Sequence, residues 1–286
     1  MSLGKYKIII IAGLAFFAGI LTFSWIKEQN NKIASIAQPD IKNTQVNLPQ
    51  KPPEENPNLA KFYAPILLYH HIAYTKTENS YYVSPKIFSQ QMQWLKDNGY
   101  RVISFDKFYL ASTGKSGLPE KPVVITFDDS LLDQYTNAYP ILKKFQYPAT
   151  FFVKLNDVSS RGTTALTFSE IKEMAQNGMT IGSHSMNHDD MANMAPDTMH
   201  YELNQSKKVL EQNCGIKIKY FSYPGGAYSK NTIIATEDAG YLAAVTTRHK
   251  VYQQITSSSS LYTLPRIHID NEMPSFIDWV QGKNLH

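Results

Sequence analysis

Hydrophobic and polar positions divide the chain into three stretches. Residues 8–26 contain no charged side chain and follow Lys5 and Lys7. An apolar run behind a basic start predicts an export signal or a membrane anchor over residues 1–27, with the two lysines cytoplasmic and the bulk of the chain outside. Both outcomes stay open, because the small residues of Ser35-Ile36-Ala37 lie well beyond the apolar run. Residues 28–62 are polar, carry Pro39, Pro49, Pro52, Pro53 and Pro57, and show no apolar periodicity, the pattern of a flexible tether. Residues 63–286 then alternate short apolar runs with amphipathic ones and are expected to form the folded domain.

The short runs predict strands at Ile66–Tyr69, Arg101–Ser104, Val123–Phe127, Ala149–Val153, Met179–Ser183, Tyr220–Tyr223, Leu242–Thr246 and Leu261–Ile269. Helices with readable ends lie between them. Ser84-Pro85 sets an N-cap before a proline at the first helical position, and Gly99 closes that helix. Its Phe88, Met92 and Leu95 share one face, as core-packing residues do. Thr167 and Glu170 form a capping box in a helix closed by Gly178. A further helix covers Asp197 to Asn213. Strands alternating with helices imply parallel pairing with right-handed crossovers. Seven or eight such units predict an α/β fold, a distorted (β/α) barrel.

Composition narrows the function classes. The single cysteine, Cys214, excludes an internal disulfide and a multi-thiolate metal site. A net charge of +4 from scattered basic residues suits an anionic cell surface and makes no nucleic-acid footprint. In a (β/α) barrel, polar residues directly after an apolar strand are the candidates for chemistry. Two places fit. Val123 to Phe127 runs straight into Asp128 and Asp129, adjacent carboxylates that repel unless a cation or proton lies between them, although aspartates also cap helices and make turns. Met179 to Ser183 runs into His184, with His188 four residues on. Alone, that pair reads equally as surface histidines. Joined to a carboxylate it makes a His₂-Asp site suited to Zn²⁺ or a similar divalent ion.

Thr126-Phe127-Asp128-Asp129 followed by His184-Ser185-Met186-Asn187-His188 resembles the first two motifs of the polysaccharide deacetylases (NodB homology, carbohydrate esterase family 4). Phe221-Ser222-Tyr223-Pro224-Gly225-Gly226 resembles the third. The resemblance spans about Pro65 to the C-terminus. It implies Asp128 as general base and Asp129, His184 and His188 as ligands of one divalent ion, Zn²⁺ first, with Co²⁺, Ni²⁺ or Fe²⁺ as alternatives. It also implies a substrate groove at Tyr223 and Gly225, with the Gly225 N–H as oxyanion donor. The family's arginine before the proline is missing, and Ser222 and Lys219 stand in that neighbourhood. Val245 to His249 occupies the place of a tryptophan segment.

Leu67-Leu68-Tyr69-His70 matches the family's closing histidine motif but stands at the start of the domain, a circular permutation of the barrel. This arrangement resembles the poly-β-1,6-N-acetylglucosamine deacetylases of biofilm exopolysaccharide. It implies His70 as catalytic acid, charged before it protonates the leaving amine, with His268 as the alternative and His71, on the opposite face, behind both. Arg266 reads either as partner of a site carboxylate or as a structural ion pair. Asp133, Asp157, Asp189 and Asp190 read as caps or solvated residues. The expected activity is metal-dependent removal of N-acetyl groups from extracellular poly-N-acetylglucosamine, leaving cationic amines that aid adhesion. The alternatives are peptidoglycan, chitooligosaccharide or acetylxylan as substrate, or a non-catalytic glycan-binding surface protein. A monomer held at the cell surface or membrane through its N-terminal segment is expected.

Overall fold

The structure, a computed structural model, describes residues 64–77, 79–159, 164–249 and 261–283. The expectations for residues 1–27 and 28–62 therefore fall outside the described residues. In chain order the elements are β1 (Ile66–Tyr69), α1 (Pro85–Asp97), β2 (Arg101–Val102), α2 (Phe105–Ser112), β3 (Pro122–Phe127), α3 (Tyr139–Phe145), β4 (Thr150–Val153), α4 (Leu155–Ser159), α5 (Phe168–Gln176), β5 (Thr180–Ser183), α6 (Pro196–Cys214), β6 (Tyr220–Ser222), α7 (Lys230–Asp238), β7 (Ala243–His249), β8 (Leu264–His268) and α8 (Met273–Val280). Among these, no helix is long and apolar enough to cross a membrane.

The strands pair in parallel in the order β1-β8-β7-β6-β5-β4-β3, and β1 returns to β3, so seven of them close a barrel. Leu67 and Leu68 pair with Ile267 and His268 on one side and with Ile125 and Thr126 on the other. The first strand of the domain thus fills the gap beside the last, as the permutation predicts. Short β2 adds to the start of β3, with Arg101 opposite Pro122. β3 is buried along its whole length, the mark of a parallel strand covered on both faces.

Local signals act as expected. Ser84 Oγ accepts the Ile87 N–H with Pro85 in the first turn, and Thr167 and Glu170 complete a reciprocal capping box. The 101–104 strand is cut to Arg101–Val102, because Ser104 leaves the sheet to cap α2 through the Lys107 N–H. Between β7 and β8 the register slips from Val245↔Leu264 to His249↔Arg266. That irregularity lies beside the site described next.

Candidate active site

Asp128 follows β3 directly and is buried. Arg266 of β8 grips it from below, Nη1 donating to Oδ1 at 2.8 Å and Nη2 to Oδ2 at 2.5 Å. Ser222 of β6 donates to Oδ2 at 3.0 Å and itself accepts from Arg266 Nη2 at 2.9 Å. The guanidinium is positioned in turn by Thr246 C=O, in the irregular stretch of β7, and by Thr126 Oγ1. Burial alone would raise the Asp128 pKa, but the charge and hydrogen bonds of Arg266 and the charge of His184 outweigh it, and the carboxyl lies well below the ordinary range. Arg266 therefore supplies the charged partner whose place in the sequence, before Pro224, holds Ser222.

Asp129 turns the other way. Its Oδ1 stands 3.5 Å from His184 Nε2 and 3.4 Å from His188 Nε2. One donor atom from each of the three residues lies within 4.8 Å of the other two. His184 Nδ1 sits 2.7 Å from the Ser222 carbonyl, which accepts a hydrogen bond from it and turns Nε2 toward Asp129. A metal-binding imidazole is held in the same way, by a hydrogen bond on its far nitrogen. The donor set fits a divalent transition ion in chemistry and in spacing. Without such an ion, burial would lower the His184 pKa, but the charges of Asp128 and Asp129 outweigh it and raise the pKa above the ordinary imidazole value. Burial and the His184 charge lower that of His188.

The backbone around these groups is strained. Asp129, Ser130, Ser185 and His188 all have positive φ, between 57° and 77°, without being glycine. Of the six such residues among the described ones, these four lie in the two loops that carry the triad. Strain of this kind persists only where surrounding contacts enforce it, and it concentrates at functional sites.

These side chains open into a cleft of about 290 Å³, lined also by Leu68, His70, Tyr81, Gly225, Thr247 and His268. The rings of His70 and His268 meet edge to face at 5.2 Å, and Tyr81 covers both, at 4.7 and 5.0 Å. Burial first, then the charges of His268 and Arg266, bring the His70 pKa down to about 4. A pKa this low favours the neutral imidazole in the resting cleft, so the charge that an acid needs has to be gained during turnover. Gln134, at the start of the helical turn Gln134–Ala138, donates to the carbonyls of His70 (3.1 Å) and Asp128 (2.5 Å), tying the two strand ends together. Nothing in the sequence pattern marks it. Gly226 comes so close to Thr247 that a Cβ would stand 2.1 Å from its Oγ1, so this turn accepts only glycine.

Several expected residues fall elsewhere. Tyr223 does not line the cleft. Successive side chains in a strand alternate faces, and with Ser222 aimed at Asp128, Tyr223 packs fully buried against Phe221 and Tyr228. Lys219 lies at the opposite end of β6, 3.2 Å from Asp106. His71 faces away from His70, as expected, stacks on Tyr82 and pairs with Asp133 at 2.6 Å. Asp133 stands at the N-cap position of the helical turn Gln134–Ala138, as expected of a cap, but its side chain makes no cap bond and takes the His71 ring and the Ile72 N–H instead. Asp157 pairs with Lys154, and Asp190 accepts the Ala192 N–H in a turn.

Comparison with known proteins agrees with this geometry. Residues 115–244 match the polysaccharide deacetylase family. YxkH of Bacillus subtilis (strain 168), itself assigned to the polysaccharide deacetylases, is 35% identical over 209 residues, covering 73% of this chain and 72% of that protein. A poly-beta-1,6-N-acetyl-D-glucosamine N-deacetylase of Staphylococcus aureus (strain MRSA252) is 29% identical over 211 residues, 69% of this chain and 71% of the relative. The Streptococcus pyogenes deacetylase PplD, solved with acetate, superimposes with a TM-score of 0.72 at 32% identity, over 79% of this chain and 100% of that one. With relatives of this similarity and coverage, and a barrel whose strand ends carry an aspartate pair and a gathered Asp-His-His set, the chain belongs to the polysaccharide deacetylase family.

Proposed function

We propose that this chain hydrolyses N-acetyl groups of an exported poly-β-1,6-N-acetyl-D-glucosamine, using a divalent ion, Zn²⁺ first, held by Asp129, His184 and His188. The observation that carries the reading is one buried, arginine-clamped carboxylate, Asp128, beside a convergent His₂-Asp set in one cleft. When bound, the ion would supply Lewis acidity toward the acetyl carbonyl and acidify a water. Asp128 takes the proton of the attacking water. Its Oδ2 already has two partners and Oδ1 one, so Oδ1 is the less encumbered acceptor. Arg266 keeps the carboxylate ionised and oriented. The Gly225 N–H, at the rim of the cleft, offers a donor to the developing oxyanion. His70, neutral at rest, takes up the proton that Asp128 removed from the water and passes it to the leaving amine, so that Asp128 is again a carboxylate at the end of the cycle. The protein would act outside the cytoplasm, at the cell surface through residues 1–27, and its cationic product would aid adhesion. It would act as a monomer and without nucleic acid.

One observation favours testing a second linkage: YxkH and PplD are more similar to this chain than the poly-beta-1,6-N-acetyl-D-glucosamine N-deacetylase of Staphylococcus aureus is. Acetate release from β-1,6- and β-1,4-linked N-acetylglucosamine oligomers decides between them. The expected result is release from the β-1,6 series, abolished by chelator and restored by Zn²⁺. Asp129→Ala and His184→Ala are expected to lose both the bound ion and acetate release, and full activity in either would overturn the site. His70→Ala is expected to lower turnover by about 10²–10⁴-fold with little effect on KM. Ion affinity should fall as pH drops, since the proton held on His184 competes with the cation.

A further inference from the structure

The loop from His184 to His188 is held from outside the cleft by one carboxylate. Glu202, on α6, is 1% exposed. Its Oε2 accepts the N–H of Met186 at 2.8 Å and of Asn187 at 3.0 Å, and its Oε1 accepts Asn187 Nδ2 at 2.5 Å. All three donors lie between the two histidines. The loop has left-handed backbone at Ser185 and at His188 itself, with φ of 64° and 67°, conformations that cost free energy at non-glycine residues and relax unless something enforces them. Ser185 Oγ accepts the His188 N–H at 3.0 Å, so the turn is also closed internally. The α6 end of the clamp is fixed too: Ser206 Oγ donates to the Glu202 carbonyl and meets Ser183 Oγ, next to His184, at 2.8 Å.

We infer that Glu202 is a positioning residue that sets the separation and direction of the His184 and His188 imidazoles, and thereby the affinity of the site for its divalent ion. It touches neither ring, and it lines no part of the cleft. A carboxylate accepting two adjacent main-chain N–H groups is well suited to this role, because charge-assisted bonds fix backbone direction more firmly than neutral ones. The inference rests on Asp129, His184 and His188 being the ligand set, and the test separates the two claims.

The metal-stripped full chain is titrated with Zn²⁺ against a chromophoric chelator and with Co²⁺ by visible absorption, for wild type, Asp129→Ala, Glu202→Gln, Glu202→Ala and Asn187→Ala. Thermal unfolding of each metal-free form is followed in parallel. The expected result is a loss of Zn²⁺ affinity of about 10–100-fold in Glu202→Gln, a larger loss in Glu202→Ala and a smaller one in Asn187→Ala. The Co²⁺ band should change in shape, with metal-free melting of Glu202→Gln close to wild type. A loss of affinity that only tracks a fall in metal-free melting temperature across the variants, or a Glu202→Gln protein that binds Zn²⁺ within about twofold of wild type with an unchanged Co²⁺ band, would overturn the inference. If Glu202→Ala does not fold, Glu202→Gln and Asn187→Ala decide. Equal Zn²⁺ binding by wild type and Asp129→Ala would instead overturn the ligand set, and this inference with it.

Discussion

Two carboxylates in this barrel are each held by one cation and one hydroxyl, at opposite ends of β6. At one end Asp106 meets Lys219 Nζ at 3.2 Å and Tyr220 OH at 2.5 Å, and both ionic side chains are 44% exposed. At the other end Asp128 meets Arg266 and Ser222, and its side chain and that of Arg266 are at most 2% exposed. The chemistry of the two clusters is alike, but the surroundings are not. Water screens the first pair, leaving it little net effect on stability. The second is desolvated, so its geometry is enforced and a missing partner has no solvent to replace it. A fork of two parallel bonds also fixes the plane of the carboxylate, which a lysine ammonium does not. The buried end can therefore hold a charged group aimed at a substrate, and the exposed end cannot.

The strongest way to break this contrast is to remove the buried cation. Arg266→Met should cost about 3–5 kcal/mol of stability in urea unfolding at neutral pH, because Asp128 stays buried without its counter-charge. It should also abolish acetate release. Arg266→Met with Asp128→Asn should recover much of the stability and none of the activity. If the single variant unfolds like wild type, the desolvated pair is not what holds this end of the barrel.

A smaller effect sharpens the contrast through pH. His70, 8% exposed and beside the buried pair, has its pKa lowered to about 4 by burial, against about 6.5 in an unfolded chain. The unfolded state thus binds the proton more readily between those values. Folding stability is complete above about pH 6.5 and falls by roughly 3 kcal/mol as pH drops to about 4. Asp128 acts in the same direction at lower pH. Its lowered pKa stabilises the fold above about pH 4, and that contribution is lost on further acidification. Urea unfolding at pH 7, 5.5 and 4 should show a shallower loss in His70→Gln than in wild type. An equal loss would place the titrating group elsewhere.

The same contrast explains what could be read from the chain alone. Asp128, Asp129, His184 and His188 are legible because they lie in two contiguous segments, each directly after an apolar strand. His70 is legible for the same reason once the barrel is seen to close β1 onto β8. Arg266 stands 138 residues from Asp128, and its role depends on closure of the ring and on the irregular β7–β8 register. Sequence spacing carries neither. Tyr223 misleads because β6 is buried on both faces, so no alternation of polar and apolar residues shows that Ser222, not its neighbour, faces the interior. Lys219 misleads because it is only three residues from Ser222, yet a strand rises about 3.3 Å per residue and carries the two to opposite ends of the barrel. Gln134 bonds only main-chain carbonyls and Glu202 holds the Met186 and Asn187 N–H groups, and main-chain partners leave no residue-type signature in the sequence.

The smallest expected effect tests the exposed end. Lys219→Ala removes the cation from Asp106 but leaves the Tyr220 hydroxyl and solvent to satisfy it. The loss should be about 0.2–1 kcal/mol, and it should shrink further at high salt because screening acts on exposed charges. Acetate release and Zn²⁺ affinity should be unchanged, since nothing at that end reaches the cleft. The informative measurement is the salt dependence: stability of wild type and Lys219→Ala should converge as salt rises, whereas the deficit of Arg266→Met should persist, because a pair without water around it is not screened. A Lys219→Ala deficit as large and as salt-insensitive as that of Arg266→Met would mean that desolvation does not separate the two clusters, and that another property of the Asp128 end must account for its fixed geometry.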